Sequence, residues 1–230
     1  MSPQAPPEVL VLRVSRGLMR NNNYLVVDPT SRAAVAVDPA FEMDKIESAL
    51  AGAQATLRGI LITHAHFDHV DLARPLAERH DCPIWMSKLE IAHSGFHARQ
   101  LIGIDASMTW RVGNLRIQPL WTPGHTPGCV CYLIGDNLFT GDVLFAEGCG
   151  VCADLPAARQ MFDSLQRLKM QLEPQTQIFP GHTYMRPPGQ SFAELLRWNM
   201  YLQFDDCHSF TAYRLRRGQT TTKLLDFREA

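Results

Sequence analysis

The sequence predicts a layered α/β protein with sheets inside and helices outside. Three observations carry this expectation. Short β-rich runs alternate with amphipathic helical segments along the chain. One run, GILIT at 59–63, is continuously apolar, as a strand buried on both faces would be. The two halves of the chain follow the same logic, each ending near a histidine-rich turn.

The elements follow in order. Residues 1–7 hold three prolines and read as a frayed tail. EVLVLRVS (8–15), NYLVVD (23–28) and AAVAVD (33–38) read as strands separated by turns at 20–23 and 29–31. A helical pattern around 42–51 stops at Gly52, and a second runs over about 70–80, stopping before Cys82-Pro83. PIWMS (83–87) reads as a strand and 88–99 as a helix. LRIQPLW (115–121), CVCYLIG (129–135) and NLFTG (137–141) are strands, the last two joined through Gly135-Asp136. Residues 153–170 form an amphipathic helix, with Asp154 placed as N-cap and Pro156 just inside. QIFPG (177–181) is a strand and 190–203 a final helix. On that helix Trp198, Tyr201 and Phe204 make an apolar stripe suited to core packing, with the wall of an acyl pocket as its other use.

Composition bounds the function. The 230 residues suit one large domain, or one with an appendage. Apolar residues are 46% and charged residues 20%, which excludes a disordered chain. Lys and Arg total 22 against 23 Asp and Glu, so a nucleic-acid binder with a basic footprint is not expected. No run approaches the ~20 apolar residues of a membrane helix, and no signal peptide is visible. The six cysteines are too sparse for a disulfide framework and suit a reducing cytosol, so a cytoplasmic location is expected. Cys149 and Cys152 have redox or half-zinc-site spacing. No second such pair accompanies them, so they read as small buried residues.

The chemistry sits in the histidines. Thr63-His64-Ala65-His66-Phe67-Asp68-His69 follows directly on the buried strand GILIT. His64 and His66 are two apart, so extended backbone aims both imidazoles one way, while Asp68 and His69 address a second point. His125 in TPGHTPG, Asp142 in FTGDVLF and His182 in FPGHTY each follow a strand and are flanked by glycine. Imidazoles and carboxylates without cysteine pairs favour zinc, iron, manganese or cobalt. Seven ligands exceed the three or four of one catalytic zinc site and suffice for two metals sharing a carboxylate. Two such metals would lower the pKa of a shared water towards ~7, giving hydroxide at neutral pH. His93 and His97 read as surface-helix residues, and His80 and His208 as ordinary surface or helix-end residues.

With these residues the chain resembles the metallo-β-lactamase-fold superfamily and, within it, the glyoxalase II-like hydrolases. The resemblance covers nearly the whole chain and implies an αββα sandwich with a short C-terminal helix and tail. It implies a catalytic domain over 1–185, and a helix and basic tail over 186–230 completing the substrate side. It also implies two divalent metal ions, zinc first, with iron or manganese as the other candidates. Metal one would take His64, His66 and His125; metal two Asp68, His69 and His182; Asp142 would bridge both. Asp38 matches the family's early aspartate, a support for the ligands.

GDVLFAEGCG (141–150) is close to the glyoxalase II segment after the bridging aspartate. In glutathione-using members a lysine and a tyrosine soon afterwards hold the glutathione; here Val151 and Ala153 stand at the matching positions. Tyr184 matches a substrate-contacting tyrosine. With its short C-terminal piece, the chain looks most like the acyl hydrolases associated with polyketide synthase clusters. That resemblance implies hydrolysis of acyl thioesters of carrier-protein, pantetheine or CoA type by a metal-bridging hydroxide, with Asp68 and Asp142 catalytic. The implied partner is the acyl thioester, an acyl carrier protein among its carriers, with no nucleic acid and no membrane. Residues 207–223 carry Arg214, Arg216, Arg217 and Lys223 and no acid, so Arg214 and Arg216 are expected to steer a phosphate or an acidic carrier. The alternatives are a hydroxyacylglutathione hydrolase (glyoxalase II), an iron persulfide dioxygenase of the same fold, and a non-catalytic binding protein that kept the fold.

Overall fold

The computed structural model describes residues 5–216. The prolines expected to open a frayed tail lie partly outside it, as do Arg217 and Lys223. Two six-stranded sheets share a core. The first holds β1 (Glu8–Arg16), β2 (Met19–Val27), β3 (Ala33–Val37), β4 (Thr56–Leu61), β5 (Ile84–Ser87) and β6 (Leu101–Ile104), in that order. β1 to β3 are antiparallel, and β3 to β6 are parallel. The second is ordered from β7 (Trp110–Val112) through β8 (Leu115–Trp121), β9 (Val130–Ile134), β10 (Asn137–Gly141) and β11 (Gln177–Pro180) to β12 (Gln190–Ser191). The helices are α1 (Met43–Gly52), α2 (Phe67–Val70), α3 (Ala73–His80), α4 (Lys88–Ser94), α5 (Leu155–Gln171), α6 (Phe192–Trp198) and α7 (Cys207–Arg214).

Strand alternation divides the core into three layers. Val35 and Val37 of β3 face inward with Tyr24, Leu61 and Trp85, against Ile117, Val130, Tyr132 and Phe139 of the other sheet. Ala34 and Ala36 face outward, under Ile46 and Leu50 of α1 and Leu76 of α3. The outer face of the second sheet is covered by Met161, Leu165 and Leu168 of α5, with Phe192, Leu195 and Phe210 from the C-terminal helices. The result is the expected αββα sandwich. As expected, GILIT is split between both faces: Ile60 and Ile62 lie outside and Leu61 inside. Asp154 caps α5 by accepting from Ala157 N–H, with Pro156 in the first turn.

Four expectations are corrected. The segment at 20–23 is not a turn: β2 starts at Met19 and its three asparagines are buried in the strand. The helix expected over 88–99 ends at Ser94, where Gly95 adopts φ 69° and closes it. β6 and β7 follow, both short and without a strong period. The final helix breaks into β12, α6 and a single 3-10 turn over Met200–Leu202, and the chain then forms α7 with Asp206 as its cap. Because α6 stops at Trp198, the expected stripe does not stay on one face. Tyr201 is buried, whereas Trp198 is 66% exposed.

One buried carboxylate ties the sheets together. Asp28, after β2, accepts from Thr30 N–H and the Ser31 hydroxyl, and from the backbone and side-chain N–H groups of Asn114 between β7 and β8. Burial pushes its pKa up, but these hydrogen bonds outweigh that and bring it down to about 2. A depressed folded pKa gives stability that is complete above the unfolded value near ~4 and is lost as pH falls through the folded value. Asp28→Asn is therefore expected to lower Tm at pH 7, with the gap to the parent closing between about pH 4 and pH 2. Thermal melts of both proteins across that range check it; a gap that stays constant with pH would contradict it.

Candidate metal centre

Ligand-type side chains converge at the carboxyl ends of β4, β8, β10 and β11. β4 runs into Thr63-His64-Ala65-His66 and then α2, whose first turn carries Asp68 and whose last carries His69. His125 follows β8, Asp142 follows β10 and His182 follows β11. Three sets of ligand atoms lie within 4.8 Å of one another: His64, His66 and His125; Asp68, His69 and His182; and, behind them, Asp38 with His64 and His69. Asp142 stands between the first two. Its Oδ1 is 3.4 Å from His69 Nε2, and its Oδ2 is 3.4 Å from His182 Nε2 and 3.7 Å from His125 Nε2.

The partners of each ring fix its tautomer. Thr63 Oγ1 donates to Asp38 Oδ2, so it accepts from His64 Nδ1–H. His125 Nδ1 donates to the Val151 carbonyl, His182 Nδ1 to the Arg20 carbonyl and His69 Nδ1 to Asp38 Oδ2. All four rings are thus held by Nδ1 and aim Nε2 inward. His66 turns its Nδ1 inward instead, 3.1 Å from His64 Nε2 and 3.0 Å from His125 Nε2. A single ring proton on His66 cannot serve both neighbours, so lone pairs face one another there.

These residues fit bound metal ions. His69 Nε2 and Asp142 Oδ1 are buried and have no hydrogen-bond partner among the described residues. Both are ligand atoms aimed at the same space, and leaving them unpaired is costly unless a cation sits between. The imidazole nitrogen separations are close to the ~3.3 Å edge of a tetrahedron with Zn–N bonds of ~2.0 Å. Gly181 keeps the space open: a Cβ there would stand 2.5 Å from His69 Cε1 and 2.7 Å from Asp142 Oδ1.

The electrostatics differ between the groups. Burial, with the neighbouring imidazoles, pushes the pKa of His64 and His66 down, so both are neutral ligands at pH 7. Burial acts the same way on His69 and His182, but Asp142 and the second carboxylate each ring faces outweigh it and hold them up. Burial would raise Asp142 and Asp68, yet the charges and hydrogen bonds of His182 and His69 bring both well below the carboxylate range. Metal entering the second group therefore displaces protons.

The remaining expected residues are spread wider. Tyr184 is half-buried, edge-on to Phe145 with ring centroids 5.2 Å apart, and 6.4 Å from the His182 ring. Burial raises its pKa, so it is a phenol donor at neutral pH. Arg214 is buried, not an exposed steering charge: its Nε donates to the Gly150 carbonyl, and its guanidinium lies over Tyr201. It supports the loop whose Val151 carbonyl holds His125. Arg216 is exposed, its Nη1 donating to the Tyr213 carbonyl. Cys149 and Cys152 are buried free thiols raised in pKa by burial, as expected of small packing residues.

Sequence reasoning missed four supports. Asn21 Nδ2 donates to the Asp68 backbone carbonyl and to its Oδ2. Asn22 donates to the Pro180 carbonyl and Thr183 Oγ1 beside His182, and Asn23 to the Asp38 carbonyl. Glu90 bonds the loops on both sides of the first group. The one sequence signal for the asparagines was their position between two β-forming runs.

A family model described as the metallo-beta-lactamase superfamily matches residues 16–182. The chain belongs to that superfamily. Within it, the chain is 42% identical over 200 residues to a protein of Bacillus subtilis (strain 168) described as a probable polyketide biosynthesis zinc-dependent hydrolase, PksB. That match covers 86% of this chain and 89% of the relative. It is 40% identical over 213 residues to BaeB of Bacillus velezensis, described in the same words, covering 92% and 95%. Among solved structures, ETHE1 from Myxococcus xanthus superposes with a TM-score of 0.81 at 30% identity, covering 94% of this chain and 95% of that one. No helix among the described residues is long and apolar enough to cross a membrane.

Proposed function

We propose that this member of the superfamily is a zinc-dependent hydrolase of acyl thioesters whose thiol is a carrier protein's pantetheine arm or CoA. The observation that carries the reading is the convergence of two ligand groups on Asp142, with buried, unpartnered ligand atoms on His69 and Asp142. His64, His66 and His125 would hold one zinc and Asp68, His69 and His182 a second, with Asp142 shared. Bound zinc would supply a water ionising near pH ~7 and an electrophile for the thioester carbonyl. The protein's own groups then have limited work. Asp68 Oδ2, held by Asn21, is an acceptor that orients a nucleophilic water's proton. Tyr184, a phenol at the rim, donates to the substrate. A thiol of pKa ~8.5 leaves as thiolate, so no general acid is required.

The choice of thiol rests on what replaces the glutathione contacts. Val151 and Ala153 offer no side-chain hydrogen bond or charge, and the Val151 carbonyl is already taken by His125. The relatives of 40–42% identity described as hydrolases of polyketide biosynthesis support the same direction. Mass spectrometry of acylated carrier protein and acyl-glutathione, incubated side by side with the protein, tests it. Faster deacylation of the carrier protein is expected. Faster loss from glutathione would make it a hydroxyacylglutathione hydrolase. One iron per chain and oxygen uptake with glutathione persulfide would make it a dioxygenase.

A further inference from the structure

Glu90, in the first turn of α4, is 1% exposed. Both of its carboxylate oxygens are committed, and to different loops. Oε1 accepts from Ala65 N–H at 2.8 Å, and Ala65 lies between His64 and His66. Oε2 accepts from Thr126 Oγ1 at 2.5 Å, and Thr126 follows His125. The loop after His125 is also seated on the start of α4. Ser87 Oγ donates to the Gly128 carbonyl and accepts from Glu90 N–H. A Cβ on Gly128 would stand 2.2 Å from that Glu90 nitrogen. One buried side chain thus spans the two loops that supply His64, His66 and His125. The bonds holding the other group come from different residues, Asp38 on His69 and Asn21 on Asp68.

We infer that Glu90 is a positioning residue for the first metal alone: it fixes the separation of the two loops so that three imidazole lone pairs meet at one point. The inference rests on the proposed two-metal reading. An acceptor that bridges two ligand loops sets nitrogen separations that each loop by itself leaves free. Outer supports of this kind typically change metal affinity by about 10- to 100-fold when replaced.

The test is competitive titration of the purified full chain with zinc(II) and a chelating dye, beside thermal melts of the metal-free protein. The parent is expected to hold two zinc ions. Glu90→Gln is expected to hold one at chelator levels where the parent keeps both, the other weakened by about 10- to 100-fold. Double variants locate the loss. Glu90→Gln with His66→Ala should still hold one zinc, and Glu90→Gln with His182→Ala close to none. Thr126→Ala, which removes one of the two bonds, should weaken the same ion too, and it answers the question if Glu90→Gln does not fold. A two-zinc parent whose Glu90→Gln variant matches its titration curve overturns the role of Glu90 and leaves the two-metal reading standing. Loss of both ions in parallel with a lowered metal-free Tm overturns it too, because that is what a purely structural residue does. A parent that binds no zinc overturns the two-metal reading and this inference with it.

Discussion

Asp142→Asn is expected to reduce thioester hydrolysis by at least ~10³-fold, a barrier rise of about 4 kcal/mol. The size follows from where the side chain stands. Oδ1 faces His69 Nε2, Oδ2 faces His182 Nε2 and, at 3.7 Å, His125 Nε2, so both ligand groups draw on the one carboxylate. An amide keeps the shape but halves the acceptors and removes the charge that the two proposed cations would require. Its NH2 must also face an imidazole lone pair or the space a cation would fill. The fold should survive, because Asp142 lies past the end of β10 and its layer packs through Leu138, Val143 and Leu144. Far-UV circular dichroism, metal content and turnover on a panel of acyl thioesters check the three parts. Turnover within tenfold of the parent, with both metals kept, would sink the proposed mechanism.

The convergence of the ligand-type residues was legible because the sequence places polar, coordinating residues where packing alone would put apolar or turn residues. A run of four such side chains directly after GILIT has no use in a hydrophobic core, and the three later ones repeat the strand-then-glycine context. The αββα layering was legible from strand and helix periods. The supports were less so, since their role depends on tertiary contacts that leave no local pattern. Asn21, Asn22 and Asn23 have the composition of a turn, yet each is buried in β2 and donates to a different part of the site: Asp68, the His182 loop and Asp38. Strand pairing with β1 from Glu8 to Arg16 overrides their low β-propensity. Glu90 reads as one more charge on a short helix until its two oxygens are traced to two loops. Arg214 reads as a steering charge of a basic tail, because the helix that buries it, capped by Asp206, lies beyond the final helix expected over 190–203.

The same dependence on a hidden partner makes Asp38→Asn the most informative small change. Asp38 sits at φ 49° after β3, a conformation asparagine tolerates as well as aspartate does. Oδ1 accepts from Thr63 N–H, whereas Oδ2 accepts both from Thr63 Oγ1–H and from His69 Nδ1–H. An asparagine must keep its oxygen opposite the Thr63 amide, which can only donate. Its NH2 then faces Thr63 Oγ1 and His69 Nδ1. The hydroxyl can turn and accept, but His69 must move its ring proton to Nε2, the atom that faces Asp142 and the proposed second metal site. The substitution therefore changes no ligand and little volume, yet it withdraws a lone pair from the site. Asp38→Asn is expected to lose the second metal and at least ~10²-fold in turnover, in line with the 10- to 100-fold affinity cost of altered ligand supports. Asp38→Ala should in addition destabilise the fold by about 3–5 kcal/mol, since it strands buried donors. Nitrogen NMR of the histidine rings separates the cases. The His69 proton should sit on Nδ1 in the metal-free parent at high pH and on Nε2 in Asp38→Asn. An unchanged tautomer with unchanged metal content would show that Asp38 does not set the direction in which His69 points its lone pair.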